Sequence, residues 1–490
     1  MRIVEGHQDY LIDNPNLQDG WAPVFKELVA DQLEVIGNIP EDLNGLYVRN
    51  GPSPQFQPEG RYHWYDGDGM LHAVRFENGR AEYRNRWVLT DGLLADREAG
   101  KSRLPGLKGR MPAGVLPDNA LKNTSNTDVK FHNGHLLSMW YRGGSVYQVN
   151  PATLETVGKL EPDPRLIGLQ ISAHSRVDER SGEYMFFAYG NTTPYMHYGV
   201  VGADGALKTL IPVALPGPRL PHDMAITQNY SILHDFPLMN NQQALAAGRY
   251  SLEFNENLRS RFAVVPRHGK VEDIRWFEAD PRYMLHVVNA WEETNARGEV
   301  EIVMLGTPYS MSKKFDGSLD KERLLFTIGT QGTDYELYQW RFNLTTGKTR
   351  EGVVDDILNT EFPMINGWFQ GYRNRYSYNV LMGRMKTLEQ PHFAGLVKYD
   401  LLKGSAVSYH PGPGYWFNES PFAAREGAVD EDDGYVVGFV WNSHENRSEV
   451  WIFDAQEISD GPVAKVVLPQ RVPNGFHATW VSGKRLNSTL

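Results

Sequence analysis

One pattern recurs along the chain: a short β-rich segment, an Asn or Asp, a few turn residues and a second β-rich segment. Asn and Asp favour such turns because their side chains hydrogen-bond the turn backbone and tolerate a left-handed φ. Three of these residues, Asn343, Asp400 and Asp454, are 57 and 54 positions apart. Repetition at this period predicts one four-stranded sheet per unit, and hence a β-propeller. The four segments are 145–160, 338–354, 395–410 and 449–468.

Further hairpins fit the same scheme, with turns at Asn78-Gly79, Asn133-Gly134 and Asp204-Gly205. Helical periodicity is scarce, and we expect short helices only within residues 17–33 and 239–248. No linker interrupts the chain, so residues 1–490 are predicted to form a single domain. The alternative, immunoglobulin-like sandwiches, would need several domains with clear boundaries.

Charge and composition exclude several classes of protein. The formal net charge of −11 and the lack of a basic stripe argue against a nucleic-acid partner. The chain has no cysteine, which excludes disulfides, thiolate nucleophiles and iron–sulfur clusters. Its N-terminal segment lacks the pattern of a signal peptide, and no apolar run approaches the roughly 18 residues that cross a bilayer. We therefore expect a cytoplasmic protein.

Four of the 15 histidines lie in or beside apolar, strand-like segments spread over about 300 residues. In a propeller the innermost strands of different blades converge on one axis, so these side chains could meet there. Taken one at a time, each could equally be a core histidine with satisfied hydrogen bonds. The four are His174, His222, His286 and His477.

The segments around these histidines carry a resemblance. SAHSRVD, PHDMAIT, HVVNAWEE and GFHATW resemble the four histidine motifs of the carotenoid cleavage oxygenase family, which includes apocarotenoid oxygenases, lignostilbene and isoeugenol dioxygenases and the retinal pigment epithelium isomerase. The resemblance continues in GLYVRNGPSP, HWYDGDGMLHAVRF, NTSNTDVKFHNGHLL, VPRHG, NTEFP and EDDGYVVGFV. It covers nearly the whole chain in collinear order.

The resemblance implies an all-β fold, a seven-bladed β-propeller with a dome of loops and short helices over its axis. It also implies one Fe(2+) on that axis, bound by the four histidines. Neutral imidazoles suit divalent iron, and four of them leave up to two positions free for O2. In the family, three glutamates hydrogen-bond to the ligands, and Glu361 in NTEFP and Glu419 in FNESPF match two of them. Tyr141 stands where the third is expected.

By the same resemblance, the reaction is cleavage of a conjugated C=C bond with O2 to two aldehydes or ketones. Thr127 matches a family threonine whose methyl group narrows an open coordination position. Candidate substrate-binding residues beside the family motifs are Tyr65, Trp140, Tyr141, Leu285 and Phe362, although each could simply pack in the core.

The substrate is left open between two classes. Family members that act on 4-hydroxystilbenes or isoeugenol resemble one another in a Lys-Glu pair at the position of Trp140-Tyr141, and Trp140 favours an apocarotenoid or carotenoid instead. The alternative is a 4-hydroxystyrene or stilbene, with Tyr141 or Lys130 contacting the phenol. Residues 101–117 combine apolar and basic side chains, so they form either a dome loop or a peripheral membrane contact. The sequence does not indicate an oligomeric state.

Two other functions compete with the oxygenase. A propeller that serves only as a binding scaffold would hold no tightly bound metal. A propeller hydrolase would use calcium, with oxygen ligands, or zinc with three protein ligands and a water.

Overall fold

The computed structural model describes residues 14–56, 62–113, 115, 120–309, 335–383 and 390–488. Within them, antiparallel strands form seven sheets of four to six strands that follow one another along the chain, and one further two-stranded sheet. The predicted seven-bladed β-propeller is thereby confirmed. That residues 1–490 form a single domain stays a prediction.

The innermost strands of successive blades contact one another from the first blade to the sixth, and strand Phe422–Ala424 of the seventh blade contacts Ala478–Ser482 of the first. From the axis outward, the first blade contains Ala478–Ser482, Gly45–Pro52, Gly69–Glu77, Arg80–Trp87 and Val29–Ala30; the second contains Asp128–His132, His135–Met139, Tyr147–Val149 and Thr156–Lys159; and the third contains Arg176–Val177, Tyr184–Tyr189, Tyr195–Val201 and Leu207–Ala214. The fourth blade contains Met224–Ile226, Tyr230–Asp235, Ser260–Pro266 and Arg275–Ala279, and the fifth contains Met284–Thr294, Val300–Pro308, Leu337–Asn343 and Thr349–Asp355. The sixth blade contains Thr360–Met364, Tyr376–Met382, Phe393–Asp400 and Ser405–Tyr409, and the seventh contains Tyr415–Phe417 with Phe422–Ala424, Gly434–Asn442, Arg447–Asp454, Pro462–Val467 and Val35–Gly37.

The ring is closed by pairing the two ends of the chain. Strand Ala478–Ser482 pairs antiparallel with Gly45–Pro52, with Leu46 opposite Val481. The first blade therefore contains segments separated by more than 400 residues. This pairing holds the two ends of the chain in one sheet and so closes the ring of blades.

The repeated sequence pattern corresponds to the outer hairpin of a blade, and all four predicted hairpins are confirmed. Two of the predicted Asn-Gly turns show why this dipeptide is used. Asn78 and Gly79 have φ of 50° and 72°, and Asn133 and Gly134 have φ of 44° and 78°. Positive φ at both central residues is the geometry of a type I′ turn, which matches the twist of the flanking strands.

The helix predictions were only partly right. Residues 239–248 contain the short helix α2, Gln242–Ala246, but residues 17–33 contain only the 3₁₀ turn Asp19–Trp21 and the strand Val29–Ala30. Pro23 interrupts that segment, and its end pairs with strand Arg80–Trp87 instead. Two other helices were missed, α1, Asp91–Ala99, and α3, Gly483–Asn487. The other 3₁₀ turns within the described residues are Pro15–Leu17, Trp64–Asp66, Pro164–Leu166, Val271–Asp273, Gly367–Phe369 and Ile458–Asp460.

Loops and a small hairpin lie over one end of the ring. The hairpin consists of Leu238–Asn240 and Leu252–Phe254, with α2 between its strands. Leu107 and Met111 of the segment 101–117 are buried in an apolar cluster with residues of the fourth and fifth blades. No helix in the described part of the chain has the length and apolarity that a membrane crossing requires.

Candidate metal centre

The four histidines come from four different blades and meet at the axis. His174, His222 and His477 each precede an innermost strand, and His286 lies within one. Ring nitrogens of His174, His222 and His286 all lie within 4.8 Å of one another. The ring of His477 has its centroid 4.4 Å from that of His174 and 4.7 Å from that of His286.

Two of these imidazoles are oriented by a buried glutamate. Glu361 Oε2 lies 2.5 Å from His286 Nδ1, and Glu419 Oε1 lies 2.9 Å from His477 Nδ1. Each glutamate comes from an axial segment of the next blades, the sixth and the seventh. A carboxylate on Nδ1 makes that nitrogen the donor and leaves Nε2 as the free ligand atom, which fixes the tautomer that a metal needs.

The electrostatics of the centre differ between its histidines. Burial and the neighbouring histidines lower the pKa of His174 and of His222 well below the usual range, so these two rings are neutral and can donate a lone pair. At His286 burial also lowers the pKa, but the charge and hydrogen bond of Glu361 outweigh it, so the pKa is raised.

The donor set fits a divalent transition metal. His174 Nε2 and His286 Nε2 are buried and have no hydrogen-bond partner among the described residues. A buried polar atom without a partner is costly, and here a cation shared by the rings would satisfy several such atoms at once. Four imidazole nitrogens suit iron and its neighbours in the first transition series far better than calcium, which takes oxygen ligands.

The third carboxylate is missing beside His222. Among the described residues, no side chain hydrogen-bonds to the His222 ring, and the ring of Tyr141 has its centroid 6.4 Å away. Burial raises the pKa of Tyr141 well above the usual range, so its hydroxyl keeps its proton. The substitution of a phenol for the expected glutamate therefore leaves His222 without an ionised partner.

A different carboxylate lies beside His174, and the sequence analysis missed it. Asp128 Oδ2 accepts a hydrogen bond of 3.2 Å from the backbone N–H of His174 and lies 3.9 Å from its Nδ1. The carboxylate is fully buried and also pairs with Lys130 at 3.1 Å. Burial raises the pKa of the Asp128 carboxyl, but the charges of Lys130 and His477 lower it by more, so the net shift of the pKa is downward. With Asp128, every one of the seven blades contributes a polar side chain to the axial region.

Thr127 precedes this aspartate and faces the metal centre. Its hydroxyl donates to Asn126 Oδ1 at 3.0 Å and accepts from the backbone N–H of Tyr141 at 3.1 Å. Both hydroxyl functions are thereby committed to the protein, which leaves the methyl group to face the cavity that Thr127 lines. This placement agrees with the steric role that the family resemblance implies.

Two cavities adjoin the centre. The first cavity contacts His222, His286 and His477; its other walls are Trp64, Tyr65, Thr127, Tyr141, Leu285, Tyr335, Glu361, Phe362, Met382, Phe393 and Phe476. The second cavity is lined by His63, Tyr65, Leu107, Tyr141, Tyr189, Leu220, Pro221, His222, Tyr250, Leu252, Tyr283 and Leu285. Both are mainly apolar and aromatic, as expected for a site that binds an alkene.

Some of the predicted substrate-binding residues line the cavities and others do not. Tyr65, Tyr141 and Leu285 line both cavities, and Phe362 lines the first, between His286 and His477 at centroid distances of 5.1 and 5.2 Å. Trp140 lines neither cavity, because its ring packs beside Tyr141 in the apolar core, and its role in substrate binding stays a prediction. Lys130, the alternative phenol contact, is likewise outside both and pairs with Asp128.

Several cavity residues were not foreseen from the sequence. Phe476 and Trp64 are adjacent to predicted residues and could have been found from the motifs that contain them. Met382, Phe393, Tyr189, Tyr250 and Tyr283 carry no local signal, since an aromatic or apolar residue in a strand looks the same whether it faces the core or a cavity.

Comparison with known proteins agrees with this site. The sequence profile of the retinal pigment epithelial membrane protein family matches residues 21–482. The carotenoid 9,10(9',10')-cleavage dioxygenase 1 of Phaseolus vulgaris is 33% identical, with 99% of this chain and 92% of the relative covered. The lignostilbene dioxygenase of Pseudomonas brassicacearum superposes with a TM-score of 0.81 at 27% identity, over 96% of this chain and 99% of that structure. Cobalt-substituted apocarotenoid oxygenase of Synechocystis gives 0.81 at 25% identity, over 94% and 98%.

Proposed function

The chain belongs to the retinal pigment epithelial membrane protein family and is a dioxygenase that cleaves an alkene, and from this premise we propose that its cofactor is ferrous iron and its substrate an apocarotenoid or carotenoid. The proposed ligands of the iron are His174, His222, His286 and His477. The observation that supports this most directly is the pair of buried, unpartnered Nε2 atoms of His174 and His286 on an axis shared with two further imidazoles.

The overall reaction breaks one C=C bond and places one atom of O2 on each of the two carbons, which gives two carbonyl products. The chemistry that ferrous iron supplies at such a site is the activation of O2 by partial electron transfer. Because four histidines occupy four positions, up to two positions are left for small ligands. The atoms and electrons of this reaction balance without an organic cofactor.

The protein's own residues orient the reactants. Glu361 and Glu419 hold the rings of His286 and His477 with Nε2 toward the axis. The methyl group of Thr127 narrows the space beside the centre. Phe362, with its ring between two ligand histidines, and Leu285 press an apolar chain against the centre and exclude water from it.

The walls support a long apolar substrate. The two cavities share Tyr65, Tyr141, His222 and Leu285, so they adjoin each other beside the proposed metal ligands, and we propose that the substrate extends from one into the other. Such a path suits a polyene whose target bond lies in its interior. A carotenoid-cleaving relative at 33% identity supports the same class.

A 4-hydroxystyrene or stilbene is the second candidate. It is supported by the likeness to the lignostilbene dioxygenase and by Tyr141, which lines both cavities and, within the described chain, has no hydrogen-bond partner for its hydroxyl. A phenol could bind there. The lysine that accompanies this chemistry in the family has no counterpart at Trp140.

The dome segment 101–117 is the proposed entrance for a lipid-soluble substrate, because Leu107 lines the second cavity. Leu107 and Met111 are buried, whereas Lys101, Arg103 and Arg110 are exposed. Leu116 lies outside the described residues. A peripheral membrane contact would depend on the exposed cations, and unchanged sedimentation with anionic liposomes after Arg103→Ser and Arg110→Ser would contradict it.

The test is anaerobic loading with Fe(II), followed by O2 and a panel of apocarotenals, carotenoids, vinylguaiacol and resveratrol, with the aldehyde products identified by mass spectrometry. About one iron per chain and two carbonyl products from a polyene are expected. His222→Ala should lose both iron and products, whereas His410→Ala, at an exposed position, should lose neither. Products from a phenol alone would favour the second candidate, and retention of calcium or of no metal would contradict the proposal.

A further inference from the structure

Among the four proposed metal ligands, all of which the structure describes, His174 alone has a left-handed backbone, with φ of 61°. A residue with a side chain is strained in this region and stays there only where the surrounding contacts enforce it. The direction in which the His174 imidazole points therefore depends on what holds the short segment 172–175.

The segment 172–175 is held by a hydroxyl within it and by a carboxylate from another blade. Ser175 Oγ donates to the Ser172 carbonyl at 3.3 Å. The backbone N–H of His174 donates to Asp128 Oδ2 at 3.2 Å. Because Asp128 begins the innermost strand of the second blade and His174 precedes that of the third, this hydrogen bond joins two blades at the ligand itself.

The Asp128 carboxylate is fixed by the backbone, and a lysine lies beside it. Its Oδ1 accepts from the backbone N–H of Val129 at 2.7 Å and lies 3.1 Å from Lys130 Nζ. The carboxylate is fully buried, whereas the Lys130 side chain is 21% exposed. Since backbone amides hold both oxygens of the carboxylate, removal of the lysine should leave Asp128 in place but uncompensated.

The charges beside the proposed ligands balance only when Lys130 is counted. A divalent cation held by neutral imidazoles carries two positive charges, the three carboxylates beside the ligands bring three negative charges, and Lys130 returns one positive charge. An ion pair of Arg176 with Asp223, at 2.5 Å, adds no net charge. The centre would thus be neutral with the lysine and negative without it. The three carboxylates are those of Asp128, Glu361 and Glu419.

The charge of Lys130 also reaches the ligand ring. Burial, the other three histidines and then Lys130 lower the pKa of the His174 imidazole. A positive charge that disfavours a proton on an imidazole disfavours a metal cation at the same ring for the same electrostatic reason.

We propose that Asp128 positions His174 for the metal by holding its strained backbone, and that Lys130 weakens metal binding by compensating the Asp128 carboxylate. The inference rests on the proposed function, because both effects act on a metal bound by the four histidines. It assigns opposite effects to two side chains that lie 3.1 Å apart. Asp128 is a positioning residue, and Lys130 sets the charge of the centre.

Metal release measures both effects. Each protein is loaded with Co(II), the metal of a solved relative, and its release to excess chelator is followed by the loss of the Co(II) absorption. Lys130→Met should slow release by about threefold to tenfold, because the carboxylate is then uncompensated. Asp128→Asn keeps an oxygen for the His174 amide but removes the charge, and it should speed release by about 10–100-fold. Asp128→Leu removes the oxygen as well and should speed release further.

The positioning role also predicts a change in the absence of metal. In the metal-free protein, Asp128→Leu should raise the hydrogen-exchange rate of the segment 172–175 by about tenfold, the effect of one lost hydrogen bond, whereas Asp128→Asn should not. Lys159→Met is the matched control for the lysine, since Lys159 Nζ pairs with Asp91 at 2.6 Å on the outermost strand of the second blade. It should alter neither metal release nor exchange.

Faster or unchanged release from Lys130→Met would overturn the role of the lysine. Unchanged release from Asp128→Asn, or unchanged exchange in Asp128→Leu, would overturn the role of the aspartate. The two proposals fail separately. A protein that cleaves the polyene with iron and O2 but releases metal equally from all these variants retains the proposed function without this inference. One that holds no metal but whose exchange responds to Asp128→Leu retains only the hold of Asp128 on His174.

Discussion

Glu361 is held in place by more than its histidine. Its Oε1 accepts from the Thr307 hydroxyl at 2.9 Å, and its Oε2 accepts from the backbone N–H of Phe362 at 2.5 Å as well as contacting His286 Nδ1. Phe362 adopts a positive φ of 50° to make this contact. A bulky residue in that conformation stores strain of about 1–3 kcal/mol, which the surrounding contacts must offset. The carboxylate is therefore pre-positioned before any metal binds.

Replacing this carboxylate by an amide of the same shape should loosen the metal. Glu361→Gln keeps an oxygen for Phe362 but removes the negative charge that offsets the cation. We expect iron to dissociate faster into a chelator by about 10–100-fold, the usual effect of losing such a partner. Glu445→Gln, which is 53% exposed, is the control. Equal release rates in the two variants would show that Glu361 does not act on the metal.

The tyrosine at position 141 offers the opposite experiment. Its backbone is anchored, because its N–H donates to Thr127 and its carbonyl accepts from Ser172 and Tyr189. Tyr141→Glu should therefore place a carboxylate near His222 without moving the backbone. We expect slower loss of iron than in the unmodified protein. Tyr141→Gln controls for size, and indistinguishable iron release in the Glu and Gln variants would rule out a charge effect at this position.

At the residue level, the sequence predicts only the groups that carry a motif. The histidines, Glu361 and Glu419 stand in segments that could be matched to a family. Asp128 also stands in such a segment, NTSNTDVKFHNGHLL, but its contact with His174 depends on the packing of two blades and is not visible in the motif. Tyr283 carries no motif, since only the fold brings it into the wall of the second cavity.

At the scale of single elements, the outer hairpins were predictable because their signal is local. An apolar strand, an Asn and a Gly at fixed spacing determine the turn with no help from the rest of the chain. The innermost strands were not, because some are as short as Arg176–Val177 and their burial comes entirely from neighbouring blades. Helix α1 carried a local signal that was overlooked: the Thr90 side chain accepts from Leu93 N, and Gly100 follows with φ of 68°.

The hairpin of Leu337–Asn343 and Thr349–Asp355 provides a controlled test of the turn. Gly347 has φ of 73°, and an added Cβ would meet nothing within 4 Å. Gly347→Ala should thus destabilise the protein through the backbone alone, by about 1 kcal/mol. Gly352 in the same hairpin also has open space but no positive φ, so Gly352→Ala should be neutral or stabilising by about 0.5 kcal/mol. Chemical denaturation measures both, and equal losses of stability would contradict the backbone explanation.

For the whole molecule, the period of the repeats predicted the architecture, but the number of blades came from resemblance. The four repeated segments identify only four outer hairpins, so the number of blades cannot be counted from them. The pairing of Ala478–Ser482 with Gly45–Pro52 shows why, since one blade is assembled from both ends of the chain. The same closure brings His477 to the axis next to His174, although 303 positions separate them in the sequence.

A metal bound by the four histidines would link blades from different parts of the ring. Because the ligands come from the first, third, fourth and fifth blades, an ion bound at the axis should stabilise the folded state as a whole. Stabilisation reaches about 2.7 kcal/mol when the free metal concentration is 100 times the dissociation constant.

Cobalt(II), which a solved relative accommodates, avoids oxidation during heating. We expect added cobalt to raise the melting temperature of the unmodified protein and of His410→Ala by equal amounts. His477→Ala, which removes the contribution of the closing blade, should show a smaller rise, and His222→Ala likewise. An undiminished rise in both ligand variants would place the stabilising metal elsewhere than the axis.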